Sequence, residues 1–140
     1  MVKILFMCVA NSARSQMAEG LAKHVFGDKA EIQSAGSQPT RVNPLAIEAL
    51  RELGIDITSH HSKTYERLPP AFTRDFNYLI TLCAEEVCPV VITKTAKKLH
   101  WPFPDPAGHA ASHEEQLRRF REARDGILKK LEAFKVSLGL

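Results

Sequence analysis

Short apolar runs alternate with helical stripes along this chain of 140 residues, and that alternation constrains the fold more than any other feature. Residues 2–9 (VKILFMCV) are almost wholly apolar, as is typical of a strand buried in a parallel sheet. A helical stripe follows over 15–26. Downstream, the same signals predict strands at 30–35, 77–82 and 98–101, and helices that start after Asn43-Pro44 and after Ser112. The alternation predicts an α/β fold, an open parallel sheet of about four strands with helices on both faces.

Length and composition narrow the functional classes. Residues 1–140 are predicted to form a single domain, because the chain is long enough for one core and contains no linker or repeat. No apolar run approaches the ~20 residues of a membrane span, and the N-terminus is not typical of a signal peptide. We therefore expect a cytoplasmic monomer without a membrane partner. The net charge of +3 comes from scattered basic residues, which argues against nucleic acid as a partner.

Cys8 and Arg14 lie in the loop that joins the first predicted strand to the first predicted helix. Such a loop wraps around a helix N-terminus, where free N–H groups and the helix dipole bind anions. The Arg14 guanidinium can hold two oxygens of one anion, and the same positive field favours the reactive thiolate of Cys8. The alternative is a buried, inert cysteine beside an unrelated arginine. The strand before the loop and the helix after it favour an oxyanion site with a sulfur nucleophile.

The rest of the loop completes this predicted site. Ser15 is expected to donate its hydroxyl to the Cys8 thiolate, while Asn11 and Ser12 brace the loop. The predicted substrate-binding residues are Val9, Ala10, Asn11, Ser12, Ala13 and Arg14.

Two further reactive side chains come directly after predicted strands, Cys83 after 77–82 and Asp105 after 98–101. Ligands of parallel sheets bind beyond the carboxyl ends of the strands, so both residues are expected to meet Cys8 at one edge. Asp105 is then the acid that protonates a leaving oxygen while Cys8 attacks. Its alternative role is that of an ordinary turn residue before Pro106.

The chain has three cysteines, an odd and low count that argues against a structural disulfide framework. Cys83 and Cys88 are not a clean same-face pair on a helix, so a disulfide between them would need local rearrangement. One alternative is that these two cysteines are incidental. The other is structural zinc, but no second closely spaced cysteine pair completes a ligand set, and no metal is predicted.

Motifs along nearly the whole chain resemble the thioredoxin-coupled arsenate reductases, which share the fold of the low-molecular-weight protein tyrosine phosphatases. The matching segments are Cys8-x5-Arg14-Ser15, Gln16-Met-Ala-Glu19-Gly, Ser34-Ala-Gly36, Asn43-Pro44, Thr81-Leu82-Cys83, Cys88-Pro89 and Trp101-x3-Asp105-Pro106-Ala-Gly108.

The resemblance implies a relay of three thiols. Cys8 would attack arsenate held by the loop and Arg14, with Asp105 assisting loss of water. Cys83 would attack the Cys8–arsenic adduct and release arsenite, and Cys88 would then move the disulfide to the Cys83–Cys88 pair. The implied electron donor is thioredoxin, or alternatively a glutathione–glutaredoxin system, and no tightly bound cofactor is implied.

The chain departs from the family pattern at three places. The two resolving cysteines are closer together than in typical members, and Ala13 stands where many relatives have a loop cysteine. Some members bind potassium near the positions of Asn11, Glu19 and Ser34. Lys63 stands where an acidic residue of that site is expected, and we hypothesise that its ammonium replaces the ion.

Two other functions remain open at this point. A phosphatase acting on phosphotyrosine or a small phosphate ester would use Cys8, Arg14 and Asp105 in the same way. However, Ala107-Gly108-His109 follow the Asp-Pro pair where aromatic residues would bind phosphotyrosine, and a phosphatase has no use for Cys83 and Cys88. An oxyanion or arsenite sensor is the third reading, which no basic stripe supports.

Overall fold

The computed structural model describes residues 1–84, 91, 93–108 and 111–140. These residues contain a sheet of four parallel strands. The strands are β1 (Val2–Cys8), β2 (Ala30–Gly36), β3 (Tyr78–Thr81) and β4 (Lys97–His100). The helices are α1 (Arg14–Phe26), α2 (Pro44–Arg51), α3 (Pro70–Thr73) and α4 (His113–Ser137), and short 3-10 turns lie at Gly27–Lys29 and Tyr65–Arg67. The predicted α/β fold with about four parallel strands is confirmed.

The order of the strands across the sheet is β2-β1-β3-β4, so β1 lies in the interior between β2 and β3. Cys8 pairs with Gly36 of β2, while Met7 pairs with Thr81 of β3. The backbone ladder continues past the end of β3, since Leu82 N donates to Met7 O at 3.1 Å. The carboxyl ends of the three strands therefore meet at one edge.

Alternate residues of β1 face two different apolar clusters, as the period of a strand requires. Ile4 and Phe6 belong to the larger cluster, which contains the buried apolar residues of α1, α2 and α4. Leu5 and Met7 belong to the smaller cluster, whose members include Phe72 of α3. Helices thus cover both faces of the sheet, as predicted.

Local signals explain where most elements start. Asn43 caps α2 by accepting from Leu45 N at 2.9 Å, and Ser112 caps α4 by accepting from Glu115 N at 3.2 Å. The short helix α3 begins at Pro70, because proline has no N–H to satisfy at the first helical position and its fixed φ favours a helix start there. None of the described helices has the length and apolar character that crossing a membrane requires.

Candidate active site

A cavity of about 290 Å³ opens beside Cys8, at the carboxyl edge of the sheet. It is lined by Cys8, Val9, Ala10, Ser12, Ala13, Arg14, Thr40, Asp105 and Ala107. Cys8 and Arg14 of the first loop and Asp105, which lies far along the sequence, therefore share one cavity. Of the predicted substrate-binding residues, only Asn11 is not part of its lining.

A strap formed by residues 37–43 runs alongside the Cys8 loop and binds its backbone. Gln38 N donates to Val9 O at 2.9 Å, Thr40 N to Ala10 O at 3.1 Å, and Asn43 N to Ser12 O at 3.0 Å. These carbonyl oxygens are occupied by the strap, so their negative ends are drawn away from an anion in the cavity. The loop thereby keeps the shape that an anion-binding turn at a helix N-terminus needs.

Gly36, the last residue of β2, makes the close approach of loop and sheet possible. A Cβ atom there would lie 2.5 Å from Val9 O, 2.8 Å from Cys8 O and 2.9 Å from Asn11 N. All three atoms belong to the backbone, so no side chain can move aside to make room. The position therefore admits only glycine, because any side chain would overlap these backbone atoms.

Asn11 holds the loop from behind, and all of its side-chain hydrogen-bonding capacity is used. Its Nδ2 donates to Ser15 Oγ at 2.7 Å and to Ser34 Oγ at 3.0 Å. Its Oδ1 accepts from Gln16 Nε2 at 3.0 Å and from Lys63 N at 3.1 Å. Asn11 is fully buried with a φ of 48°, a left-handed conformation that asparagine tolerates better than most residues.

The Cys8 sulfur lies 2.9 Å from Ser15 Oγ, and both residues are buried. The Ser15 hydroxyl already accepts a hydrogen bond from Asn11, and its own proton is left for the sulfur. A hydroxyl that donates to sulfur stabilises the thiolate, which is the nucleophilic form. The role predicted for Ser15 is consistent with this geometry.

Arg14 is the first residue of α1 and is only 4% exposed. Its Nη1 donates to Phe103 O at 2.8 Å and to Leu82 O at 3.4 Å. Its Nη2 lies 4.0 Å from Asp105 Oδ2, and Asp105 Oδ1 accepts from Ala107 N at 3.0 Å. Backbone carbonyls thus direct the guanidinium, while the half-exposed Asp105 carboxylate stands beside it at the rim of the cavity.

Behind the loop, the buried Glu19 carboxylate is surrounded by donors and positive charges. Ser34 Oγ donates to Glu19 Oε1 at 2.5 Å, and Lys23 Nζ donates to Oε2 at 2.6 Å. Lys63 Nζ and His60 Nε2 each lie 3.7 Å from the same carboxylate. Ser34 also binds Asn11, so a continuous hydrogen-bonded path runs from this charged cluster to the Cys8 loop.

Burial by itself would raise the pKa of Glu19, but the neighbouring charges and hydrogen-bond donors hold it below its ordinary value. Burial lowers the pKa values of Lys63 and His60, and attraction to Glu19 offsets only part of that effect. Among the described residues, no cluster of histidine, cysteine and acidic side chains could hold a transition-metal ion. The oxygens of Glu19 are engaged by ammonium groups and a hydroxyl.

Cys83 is buried with 1% exposure, and it follows Leu82 at the edge where β1 and β3 both end. The strand register therefore puts Cys8 and Cys83 on adjacent strand ends, as the sequence predicted. Cys8 and Cys83 are both buried cysteines at this edge of the sheet. The third predicted catalytic cysteine, Cys88, lies outside the described residues.

Several functional groups of this site escaped the sequence analysis. The strap and the carbonyls of Leu82 and Phe103 act through backbone atoms. Because backbone carbonyls are common to all residue types, the sequence carries no signal for them. Gly36 entered only as part of the Ser34-Ala-Gly36 motif, although a glycine next to a strand is also a signal of close backbone approach. Gln16, which donates to His61 O at 3.1 Å, carried no signal of its own.

The chain resembles known proteins over almost all of its length. Residues 3–139 match the family described as low molecular weight phosphotyrosine protein phosphatase. A curated relative named arsenate reductase, from Staphylococcus aureus (strain Newman), is 42% identical over 134 residues, which are 94% of this chain and 95% of the relative.

Solved structures agree with this relationship. An arsenate reductase in the phosphate-binding state has a TM-score of 0.78 and 30% identity, with 98% of each chain covered. A thioredoxin-dependent arsenate reductase from Corynebacterium glutamicum has a TM-score of 0.67 and 30% identity, covering 98% of this chain and 63% of that one. The chain therefore belongs to the low molecular weight phosphotyrosine protein phosphatase family, beside relatives named arsenate reductases.

Proposed function

We propose that this protein reduces arsenate to arsenite. The observation that carries the proposal is the position of a second cysteine, Cys83, at the strand end adjacent to Cys8 and its oxyanion loop. A loop of this kind binds phosphate and arsenate alike, so the loop alone would not distinguish ester hydrolysis from reduction. The second thiol gives the site a reducing group that hydrolysis does not need.

The reaction proceeds by thiol chemistry alone. The Cys8 thiolate attacks arsenic, and water leaves with a proton that Asp105 supplies. Cys83 attacks the Cys8 sulfur, the sulfur–arsenic bond breaks, and its electron pair reduces arsenic to the trivalent state as arsenite departs. Cys88 attacks Cys83 and frees Cys8. A dithiol donor of the thioredoxin class returns two electrons to the Cys83–Cys88 disulfide.

The lining of the cavity supports a small oxyanion as substrate. Of the described residues around the cavity, none is aromatic, and Ala107 stands just after the Asp-Pro pair. An aryl ring would find no aromatic side chain to pack against among them. Arg14 and the loop can nevertheless hold any tetrahedral oxyanion, so weak ester hydrolysis is an expected side reaction.

Serine substitutions of the second and third thiols test the proposed relay. Arsenate-dependent oxidation of NADPH is measured with thioredoxin and thioredoxin reductase for the wild type, Cys83→Ser and Cys88→Ser. Hydrolysis of an aryl phosphate is followed in the same variants. We expect both variants to lose arsenate turnover and to retain the wild-type rate of ester hydrolysis, because serine cannot accept the disulfide and Cys8 is untouched.

Cys8→Ser serves as the control, since it should abolish both reactions. Full arsenate turnover in both Cys83→Ser and Cys88→Ser would show that the relay is wrong. Turnover with glutathione and glutaredoxin, but not with thioredoxin, would reassign the electron donor and leave the reaction intact.

We also propose that Lys63 takes the place of a potassium ion behind the Cys8 loop. The support is its position 3.7 Å from the Glu19 carboxylate, with its backbone N–H bound to Asn11. The Lys63 ammonium beside Glu19 supplies the positive charge that a bound cation would otherwise bring. The path through Ser34 and Asn11 carries this effect to the loop.

Exchange of potassium for sodium at constant ionic strength tests this proposal. The wild type should show the same arsenate turnover and the same melting temperature in both salts. Lys63→Gln should lower both quantities, because the carboxylate of Glu19 loses one of its compensating charges. Lys29→Gln, on an exposed turn, is the matched control. A clear gain of wild-type activity or stability in potassium would refute the proposal.

A further inference from the structure

Phe103 is bound to the active site through both of its backbone polar groups. Its N–H donates to Leu82 O at 3.1 Å, and its carbonyl accepts from Arg14 Nη1 at 2.8 Å. Pro102 and Pro104 flank it, and neither has an N–H to donate. Of these three residues, only Phe103 can therefore donate a backbone hydrogen bond beyond the end of β4, and its carbonyl also positions the Arg14 guanidinium.

The Phe103 ring lies directly against the backbone of α4. A Cβ atom on Gly126 would stand 2.8 Å from Phe103 Cε1, a distance that real Cβ contacts essentially never show. The neighbouring ring atoms Cδ1 and Cζ would be 3.6 Å and 3.7 Å away. Even a small residue at 126 would have to push the ring outward.

Gly126 lies in the interior of α4, more than two turns from either end. Glycine at such a position weakens a helix relative to alanine, because it loses more conformational freedom on folding. Its φ is not in the left-handed region, which is occupied by other glycines of the chain. The conformation of the helix therefore does not require glycine at 126, whereas the close packing of the Phe103 ring against the helix backbone does.

We infer that Gly126 and Phe103 are positioning residues for Arg14. The helix backbone at Gly126 seats the ring, the seated ring fixes the Phe103 backbone, and the Phe103 carbonyl holds the guanidinium that binds the oxyanion. Asp105 follows two residues later in the same segment, so the seat also sets where the proposed acid stands. The inference rests on the proposed function in that it assigns Arg14 to substrate binding.

Gly126→Ala tests the inference because a helix residue and a positioning residue predict different results. If Gly126 were only a helix residue, alanine would raise the melting temperature and leave the site unchanged. If it positions Phe103, the displaced carbonyl should weaken oxyanion binding on the order of tenfold. This is less than the roughly hundredfold loss of reaction rate that a 1 Å misplacement can cause. The primary measurement is calorimetric titration with inorganic phosphate, which does not depend on turnover. In the arsenate assay, KM should rise more than kcat falls.

Phe103→Leu in the Gly126→Ala background provides the rescue, since the smaller side chain leaves room for the new methyl group. We expect this double variant to bind phosphate more tightly than Gly126→Ala alone. Lys130→Ala, on the exposed face of α4, is the matched control and should bind phosphate as the wild type does.

Wild-type phosphate affinity in Gly126→Ala, or no recovery in the double variant, would overturn the inference. A wild type that binds phosphate but does not reduce arsenate would instead contradict the proposed function. The phosphate titrations would still decide the role of Gly126 in that case.

Discussion

At the scale of single residues, the site depends on positions where the surroundings admit one residue type. Asn11 has the left-handed conformation and two donor and two acceptor bonds, a combination that aspartate or serine would not reproduce. Gly36 is required because backbone atoms of the loop surround the place where a Cβ would be. Both residues act on Cys8 and Arg14 without touching the cavity.

Gly36→Ala is predicted to damage folding and binding together. The added methyl group would overlap Val9 O, Cys8 O and Asn11 N, and overpacking of this kind costs about 1–3 kcal/mol. We expect the free energy of unfolding in urea to fall by that amount and phosphate binding to be lost in calorimetry. Ser37→Ala, at the next and exposed position, should change neither quantity. Undiminished phosphate affinity in Gly36→Ala would mean that the loop adapts to the extra atom.

The sequence indicated the side chains with proposed chemical roles more readily than the groups that hold them. Cys8, Arg14 and Asp105 could be named because thiols, guanidinium groups and carboxylates have recognisable uses after strand ends. The carbonyls of Leu82 and Phe103 could not, since every residue has one and only the tertiary structure selects among them. Lys63 was noticed through a family pattern, whereas the convergence of Lys23 and His60 on Glu19 depends on packing.

At the scale of elements, charged side chains fasten α2 to α4 outside the apolar core. Glu52 closes the C-terminus of α2, and Arg121 of α4 donates to both of its oxygens, at 2.6 Å in the shortest bond. Arg124 Nη1 donates to Glu52 Oε1 at 2.7 Å and to Ala49 O at 2.9 Å. The last turn of α2 thus has partners for both its acidic side chain and one of its terminal carbonyls.

The hydrogen bond from Arg121, and then those from Arg124, lower the pKa of Glu52 from 4.5 to about 2. A carboxyl group whose pKa is lower in the folded state stabilises the fold at pH values above its unfolded-state pKa. This contribution is lost as the pH falls from 4.5 towards 2. We predict that Glu52→Gln costs about 1 kcal/mol at pH 7, as is usual for a partly exposed charge network. The difference in melting temperature between wild type and Glu52→Gln should therefore shrink on acidification.

Glu132→Gln is the control for this measurement, because Glu132 is an exposed carboxyl residue of α4 that lies more than two turns beyond Arg121 and Arg124. A difference between wild type and Glu52→Gln that stays constant from pH 7 to pH 3 would show that the ion pair does not tie the two helices together.

At the scale of the whole molecule, the alternation of strands and helices was sufficient to predict the parallel sheet and the edge where function lies. The boundaries of the strands followed from short apolar runs, and most helix starts followed from capping residues. The order β2-β1-β3-β4 was not predictable, because sequence patterns do not state which strands are neighbours. That order is what brings Cys83 next to Cys8 and puts the strap against the loop.

The strap has a consequence for how this chain can change in length. Gln38 and Thr40 donate to consecutive loop carbonyls, and Pro39 between them has no N–H. Removing or adding one residue between Gly36 and Pro39 would bring Pro39 opposite Val9 O or Ala10 O and leave that oxygen without its donor. Insertions and deletions should therefore be excluded from this connection and accumulate in the exposed turn at Gly27–Lys29, which follows the end of α1 opposite to the Cys8 loop.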